Sequence, residues 1–66
     1  MMVTANGRQR EAQEGCNVER FIREQGLDPR FVIVEHNGEP VERKRYADVV
    51  LTDGDRLELV RAVAGG

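Results

Sequence analysis

The chain closes on Arg61-Ala62-Val63-Ala64-Gly65-Gly66, a bare diglycine directly after its most apolar strand-like run. Ala64, Gly65 and Gly66 carry almost no side chain, so such a segment can thread a narrow channel. Taken as extended, residues 63–66 reach roughly 13 Å at about 3.3 Å per residue, enough to pass from a globule's surface into a partner's active site. The α-carboxyl has a reference pKa of about 3.5 and is ionised at neutral pH. A carboxylate is a poor electrophile, so acyl chemistry at Gly66 requires prior activation, most simply adenylation with ATP. The activated carbonyl is then unhindered, because glycine has no Cβ to block a nucleophile. The terminus is therefore expected to be a presented, working group.

Other side chains with reactive chemistry read as structural. Cys16 is the single cysteine. It can form no intramolecular disulfide, and with His36 alone it assembles no metal framework. A persulfide on Cys16 is one reading, and a position near the positive end of a helix would lower its pKa. The preferred reading is a small apolar core residue. His36, next to Asn37-Gly38, reads as a solvated turn residue with no serine or cysteine nucleophile nearby. Asp53 and Asp55 around Gly54 read as turn chemistry and not as an acid pair or a metal site.

With 66 residues and 39% hydrophobic composition, the chain forms one small domain, residues 1–62, followed by a functional tail, residues 63–66. One cysteine makes a reducing, cytoplasmic setting the default. The first seven residues lack a basic region followed by a long apolar run, and nowhere do apolar residues persist far enough to span a bilayer, so neither export nor membrane insertion is expected. A formal charge of -2 with interleaved signs argues against nucleic-acid binding.

The elements that must position the tail follow from local signals. Met2 to Ala5 is a short apolar strand, Asn6-Gly7 a hairpin turn, and Arg8 to Ala12 a polar return strand suited to a sheet edge. Asn17 caps a helix of about two turns whose Val18, Phe21, Ile22 and Gln25 share one face, with an ion pair from Glu19 to Arg23. Gly26 closes it, with Leu27 folding back on Ile22, and Pro29 prevents continuation. Phe31-Val32-Ile33-Val34 is continuously apolar and reads as a buried strand ended by Asn37-Gly38. Pro40 and Glu42-Arg43-Lys44-Arg45 indicate a loop or edge segment, anchored by Tyr46, Val49, Val50 and Leu51. Asp53-Gly54-Asp55 turns into the last strand. There Leu57 and Leu59 face the core, while Glu58, Val60 and Ala62 face the other side. The fold class is α+β: a mixed sheet of four to five strands with one helix on one face, its first and last strands parallel at the centre.

These residues in this order resemble the ThiS family of sulfur carriers, which are ubiquitin-like β-grasp proteins. The resemblance covers nearly the whole chain. It rests on the Asn6-Gly7 turn, Gly15-Cys16-Asn17-Val18, Val34-Glu35-His36-Asn37-Gly38-Glu39 with Val41 and Arg43, Tyr46, and above all Asp53-Gly54-Asp55 through Gly65-Gly66. Departures are Glu42 where many relatives have proline, Tyr46 for a common tryptophan, and Asn17 for the usual threonine cap. None touches the tail.

The resemblance implies that an E1-like (ThiF-like) adenylyltransferase activates Gly66 with ATP, and that a sulfur donor such as a cysteine desulfurase converts it to a thiocarboxylate. That sulfur is then delivered to a ThiG-like thiazole synthase in thiamine biosynthesis. The chain would be a recycled substrate and not an enzyme, with no cofactor of its own. Val63, Ala64 and Gly65 would enter the partner's active site, and Val60, Arg61 and Ala62 would dock. Arg61 with Arg43-Lys44-Arg45 would steer contacts, although a merely solvated basic surface is the preferred reading. The tail is expected to be weakly ordered from Ala64 onward when free. Other readings are a carrier for another pathway, such as the small subunit of molybdopterin synthase, a ubiquitin-like modifier joined to lysines, or a noncovalent β-grasp module. Appending one residue after Gly66 separates the last from the covalent readings.

Overall fold

Two Asn-Gly turns organise the sheet. In the computed structural model, which describes residues 1–62, Asn6 and Gly7 have φ of 51° and 79°, and Asn37 and Gly38 have φ of 52° and 84°. Two successive left-handed residues are what a tight hairpin turn requires, because their twist matches that of the flanking strands. The first turn joins β1 (Met2–Ala5) to β2 (Arg8–Glu11), and the second joins β3 (Val32–His36) to β4 (Glu39–Val41). The last strand, β5 (Arg56–Arg61), lies between the two hairpins, giving the order β2-β1-β5-β3-β4. It runs parallel to β1 through Thr4↔Arg56 and Ala5↔Leu57, and antiparallel to β3 from Val32↔Arg61 to His36↔Leu57. The expected parallel pairing at the centre is present, and β2, exposed throughout, forms an edge.

Each turn asparagine also grips the central strand. The Asn6 side chain donates to the Leu59 carbonyl at 3.0 Å and accepts from the Leu59 N–H at 2.7 Å. Asn37 accepts from the Arg56 N–H at 2.8 Å and donates to Asp55 at 3.1 Å. Beyond Ala5, where the β1 ladder ends, a side-chain amide thus continues the hydrogen bonding to β5.

One helix, α1 (Val18–Glu24), covers one face of the sheet. Asn17 caps it by accepting from the Arg20 N–H at 2.8 Å. The expected Glu19–Arg23 pair forms at 3.3 Å, joined by Arg20–Glu24 at 3.1 Å. At the far end the Gly26 N–H donates to Arg23 and the Leu27 N–H to Ile22, the paired bonds of a Schellman closure. Val18, Phe21 and Ile22 are fully buried against Val3, Val34 and Leu57, each large side chain contributing roughly 1.5–3 kcal/mol by leaving water. Gln25, expected on that face, instead ends the helix half-buried.

The reading of Phe31 to Val34 as a continuously buried strand needs correction. Val32 and Val34 are buried, whereas Phe31 and Ile33 are 47% and 53% exposed. A single helix covers a single face, so alternate residues of β3 must point to solvent. Phe31 itself closes a short 3-10 turn, Pro29–Phe31, capped by Asp28. Val50, expected as an anchor, is also exposed, held only by an isolated bridge to Asn17. The anchors after the Arg43–Arg45 turn are Tyr46, whose buried hydroxyl donates to the Val32 carbonyl at 2.6 Å, Leu51, and the partly buried Val49. Among the described residues no helix is long and apolar enough to cross a membrane.

Candidate functional site

The strand that leads to the terminus is the central one of the five, bonded to β1 on one side and β3 on the other. Leu57 and Leu59 face the core as expected, while Glu58 and Val60 face away. The last described tie is the Ala62 N–H, which donates to the Phe31 carbonyl at 2.7 Å. Val63, Ala64, Gly65 and Gly66 lie outside the described residues, and so does the expected weak order from Ala64 onward.

Of the three candidate docking residues, Val60 and Ala62 alternate onto the uncovered face and Arg61 onto the helix side. Val60 is 57% exposed and sits directly opposite the exposed Ile33. Phe31, bonded to Ala62, extends this apolar area, and the Arg30 guanidinium lies 5.3 Å from its ring centroid. The root of the tail thus emerges beside a patch built from Phe31, Ile33 and Val60. Ile33 and Phe31 escaped sequence reasoning because an unbroken apolar run was read as covered on both faces. Parity offered the signal, since residues opposite Val60 must share its side.

The basic run divides. Arg43 reaches toward the tail root, its Nε donating to the Pro29 carbonyl at 3.4 Å. Lys44 instead pairs with Glu42 at 3.5 Å, and Arg45 with Asp48 at 3.6 Å. Two members of the basic run, Lys44 and Arg45, are thus each paired with a local carboxylate.

His36 is a correction. It is a half-buried partner of Asp55, Nε2 to Oδ2 at 2.8 Å, and not a freely solvated residue. Asp55 also accepts from the Thr52 N–H and hydroxyl and from Asn37. Burial opposes ionisation of Asp55, but the bonds from His36, Thr52 and Asn37 outweigh it and hold its pKa at about 2. Asp53 accepts from the Met2 N–H at 2.8 Å, so both aspartates do turn and strand chemistry, as read. Cys16 is buried at the helix start with its thiol donating to the Asn17 carbonyl. Burial, with the Glu24 carboxylate adding to it, raises its pKa, where the sequence suggested a lowering by the helix. Desolvation of the thiolate, with Glu24, outweighs the lowering by the Arg20 guanidinium. Among the described residues no cluster of three or more histidine, cysteine, aspartate or glutamate side chains is arranged to hold a metal.

Comparison with known proteins bears on this arrangement. Residues 3–66 match the model of the ThiS family. The chain is 41% identical over 66 residues to a thiazole synthase of Paramagnetospirillum magneticum and 35% identical over 66 residues to that of Magnetococcus marinus. All of this chain is covered in both cases, and it spans only 20% of the length of each relative. It is 45% identical over 40 residues to the sulfur carrier protein ThiS of Bacillus subtilis, covering 61% of each chain. The crystal structure of the thiamine biosynthesis protein ThiS from Geobacter metallireducens superposes with a TM-score of 0.84 at 30% identity, over 100% of both chains. The ubiquitin-like β-grasp fold is shared with that structure.

Proposed function

The chain belongs to the ThiS family, and from that premise we propose that it is a sulfur carrier of thiamine biosynthesis whose working group is the Gly66 carboxylate. An E1-like adenylyltransferase joins that carboxylate to AMP from ATP, releasing pyrophosphate. The terminal sulfur of a persulfide, such as one formed by a cysteine desulfurase, then displaces AMP to give an acyl disulfide, and two thiols from a reductant cleave its S–S bond, leaving a thiocarboxylate on Gly66 and becoming a disulfide themselves as the donor thiol is released. The soft, ionised sulfur attacks a carbonyl-derived intermediate on a thiazole synthase to form a thioester, and water cleaves its acyl C–S bond, leaving sulfur on the acceptor and returning the Gly66 carboxylate for another cycle. The chain is a recycled substrate that catalyses nothing itself, and the proposed setting is the cytoplasm.

The observation that carries this reading is the family match running through Gly66, together with a tail root that leaves the central strand beside Ile33 and Val60. Val63, Ala64 and Gly65 are the segment proposed to enter the active site, with Val60, Arg61 and Ala62 at its mouth. Thiazole synthase is the proposed acceptor because two relatives bear that name.

The test is intact mass after incubation with ATP, a cognate E1-like enzyme and a sulfur source. A gain equal to replacing one oxygen by sulfur is expected, absent when Gly66 is deleted or one residue is appended after it. No gain with an enzyme proven active on another carrier would remove the proposal.

A further inference from the structure

The last bond that holds the strand before the tail is made to a turn and not to a strand. Antiparallel pairing of β5 with β3 runs from His36↔Leu57 to Val32↔Arg61, so Phe31 and Ala62 stand opposite each other as the next pair. In a regular ladder such a pair exchanges two bonds or none. Here the Phe31 N–H turns back to the Asp28 carbonyl at 2.9 Å, and only the Phe31 carbonyl is left to accept from the Ala62 N–H at 2.7 Å. On the other side of β5, pairing with β1 has ended at Ala5↔Leu57, and the Asn6 amide reaches only Leu59. Among the described residues, the Phe31 carbonyl is thus the sole backbone hold on Ala62.

That carbonyl is fixed by Asp28. Its Oδ1 accepts from the Arg30 N–H at 2.9 Å and its Oδ2 from Arg30 Nη2 at 2.8 Å, while Pro29 sets the backbone angle between them. Arg30, so held, lies with its guanidinium 5.3 Å from the Phe31 ring centroid. Two further bonds brace the segment, from Arg43 Nε to the Pro29 carbonyl at 3.4 Å and from the Tyr46 hydroxyl to the Val32 carbonyl at 2.6 Å. The bonds from Arg30 hold the pKa of the Asp28 carboxyl at about 2, so it is charged at any pH used for assay. An exposed ion pair of this kind contributes little to stability, yet it governs where the Phe31 carbonyl stands.

We propose that Asp28 is a positioning residue for the carrier reaction: by locking the Pro29–Phe31 turn it holds Ala62, and with it the starting point of residues 63–66, for entry into the activating enzyme. The inference rests on the carrier reading given above. Four extended residues reach roughly 13 Å, so freedom at Ala62 is passed to Gly66 over the full length of the tail. Without the tie, Ala62 joins the segment that must be ordered on docking, and fixing one more residue's backbone weakens association roughly tenfold. That cost falls on ground state and transition state alike, so it raises KM and leaves kcat in place.

The test is ATP–pyrophosphate exchange by the cognate adenylyltransferase with the full chain varied, alongside NMR amide exchange of the free chain. Asp28→Ala is expected to raise KM about five- to tenfold with kcat within about twofold of wild type. It should also speed exchange at the Ala62 amide about tenfold, while the Leu59 amide, bonded to Asn6, stays as protected as in wild type. Asp28→Asn keeps an acceptor for the Arg30 N–H and should restore both readouts. Where Asp28→Ala fails to fold, Asp28→Gly, which a cap position tolerates at little cost, carries the same expectation. Wild-type KM in a folded variant whose Ala62 amide has been freed overturns the inference and leaves the carrier reading intact. Ala62 exchange that stays at the wild-type rate overturns it whatever the KM, because Asp28 then does not hold Ala62. Wild-type chain that supports no exchange with an enzyme proven active on another carrier removes the carrier reading itself.

Discussion

Asp55 shows how one side chain ties distant parts of the chain together. Its carboxylate accepts from Thr52, Asn37 and His36, joining the turn before β5 to the turn after β3. Its depressed pKa of about 2 sets the sign of a pH effect. Stability from this group is fully present above the unfolded value of about 3.9 and is lost as pH falls through about 2. The difference is on the order of 2 kcal/mol. Asp55→Asn should therefore be less stable than wild type by about that amount in urea unfolding at pH 5, with the two proteins converging toward pH 2. A gap that stays constant across that range would show that the charge contributes nothing. Asp53-Gly54-Asp55 was legible as a turn because turn chemistry is local. The His36 contact was not, since its partner is 19 residues away and only the register of β3 on β5 brings the two together.

At the scale of elements, the Asn-Gly turns are the most readable features, because left-handed backbone at two successive positions admits few residue types. Their second role, gripping β5, could not be read from the turns alone. Asn6→Gly isolates that role, as it keeps the permissive backbone and deletes both bonds to Leu59. A loss of roughly 1–2 kcal/mol is expected by denaturant unfolding, at about 0.5–1.5 kcal/mol per hydrogen bond. Asn6→Ala should lose more, because it adds backbone strain at φ 51°. If Asn6→Gly matches wild type, the amide bridge is geometry without consequence. The helix was also legible, from its Asn17 cap to its Gly26 closure, since those signals lie within a few residues of one another. The run from Phe31 to Val34 misled because hydrophobicity reports what a strand contains, while burial depends on how many faces are covered.

For the whole molecule, the pattern of polar edge and apolar centre was enough to place β2 outside and β5 beside β1 at the centre, while β3 as the other neighbour of β5 emerges from the structure. The exposed apolar face was only half legible. Val60 and Ala62 followed from alternation along β5, whereas Ile33 and Phe31 required the knowledge that one helix leaves the opposite face open. Under the proposed function, that face separates stability from partner recognition. Val60→Ser should unfold within about 0.5 kcal/mol of wild type, as exposed substitutions usually do, yet slow sulfur loading of Gly66 severalfold in the mass assay. Equal loading rates would show that the patch is not used in docking.

The position of β5 has a further consequence, for how the molecule comes into being. A ribosome releases the strands in chain order, so both hairpins emerge before the strand that lies between them. An isolated hairpin is marginal in water, and no strand hydrogen bonds join β1 with β2 to β3 with β4 until Arg56–Arg61 is free of the exit tunnel. The five-stranded sheet is therefore completed late, and a nascent chain stalled before Arg56 lacks Leu57 and Leu59 of the core. Among the described elements, synthesis makes last the strand that completes the sheet, immediately before residues 63–66, the segment proposed to carry the chemistry.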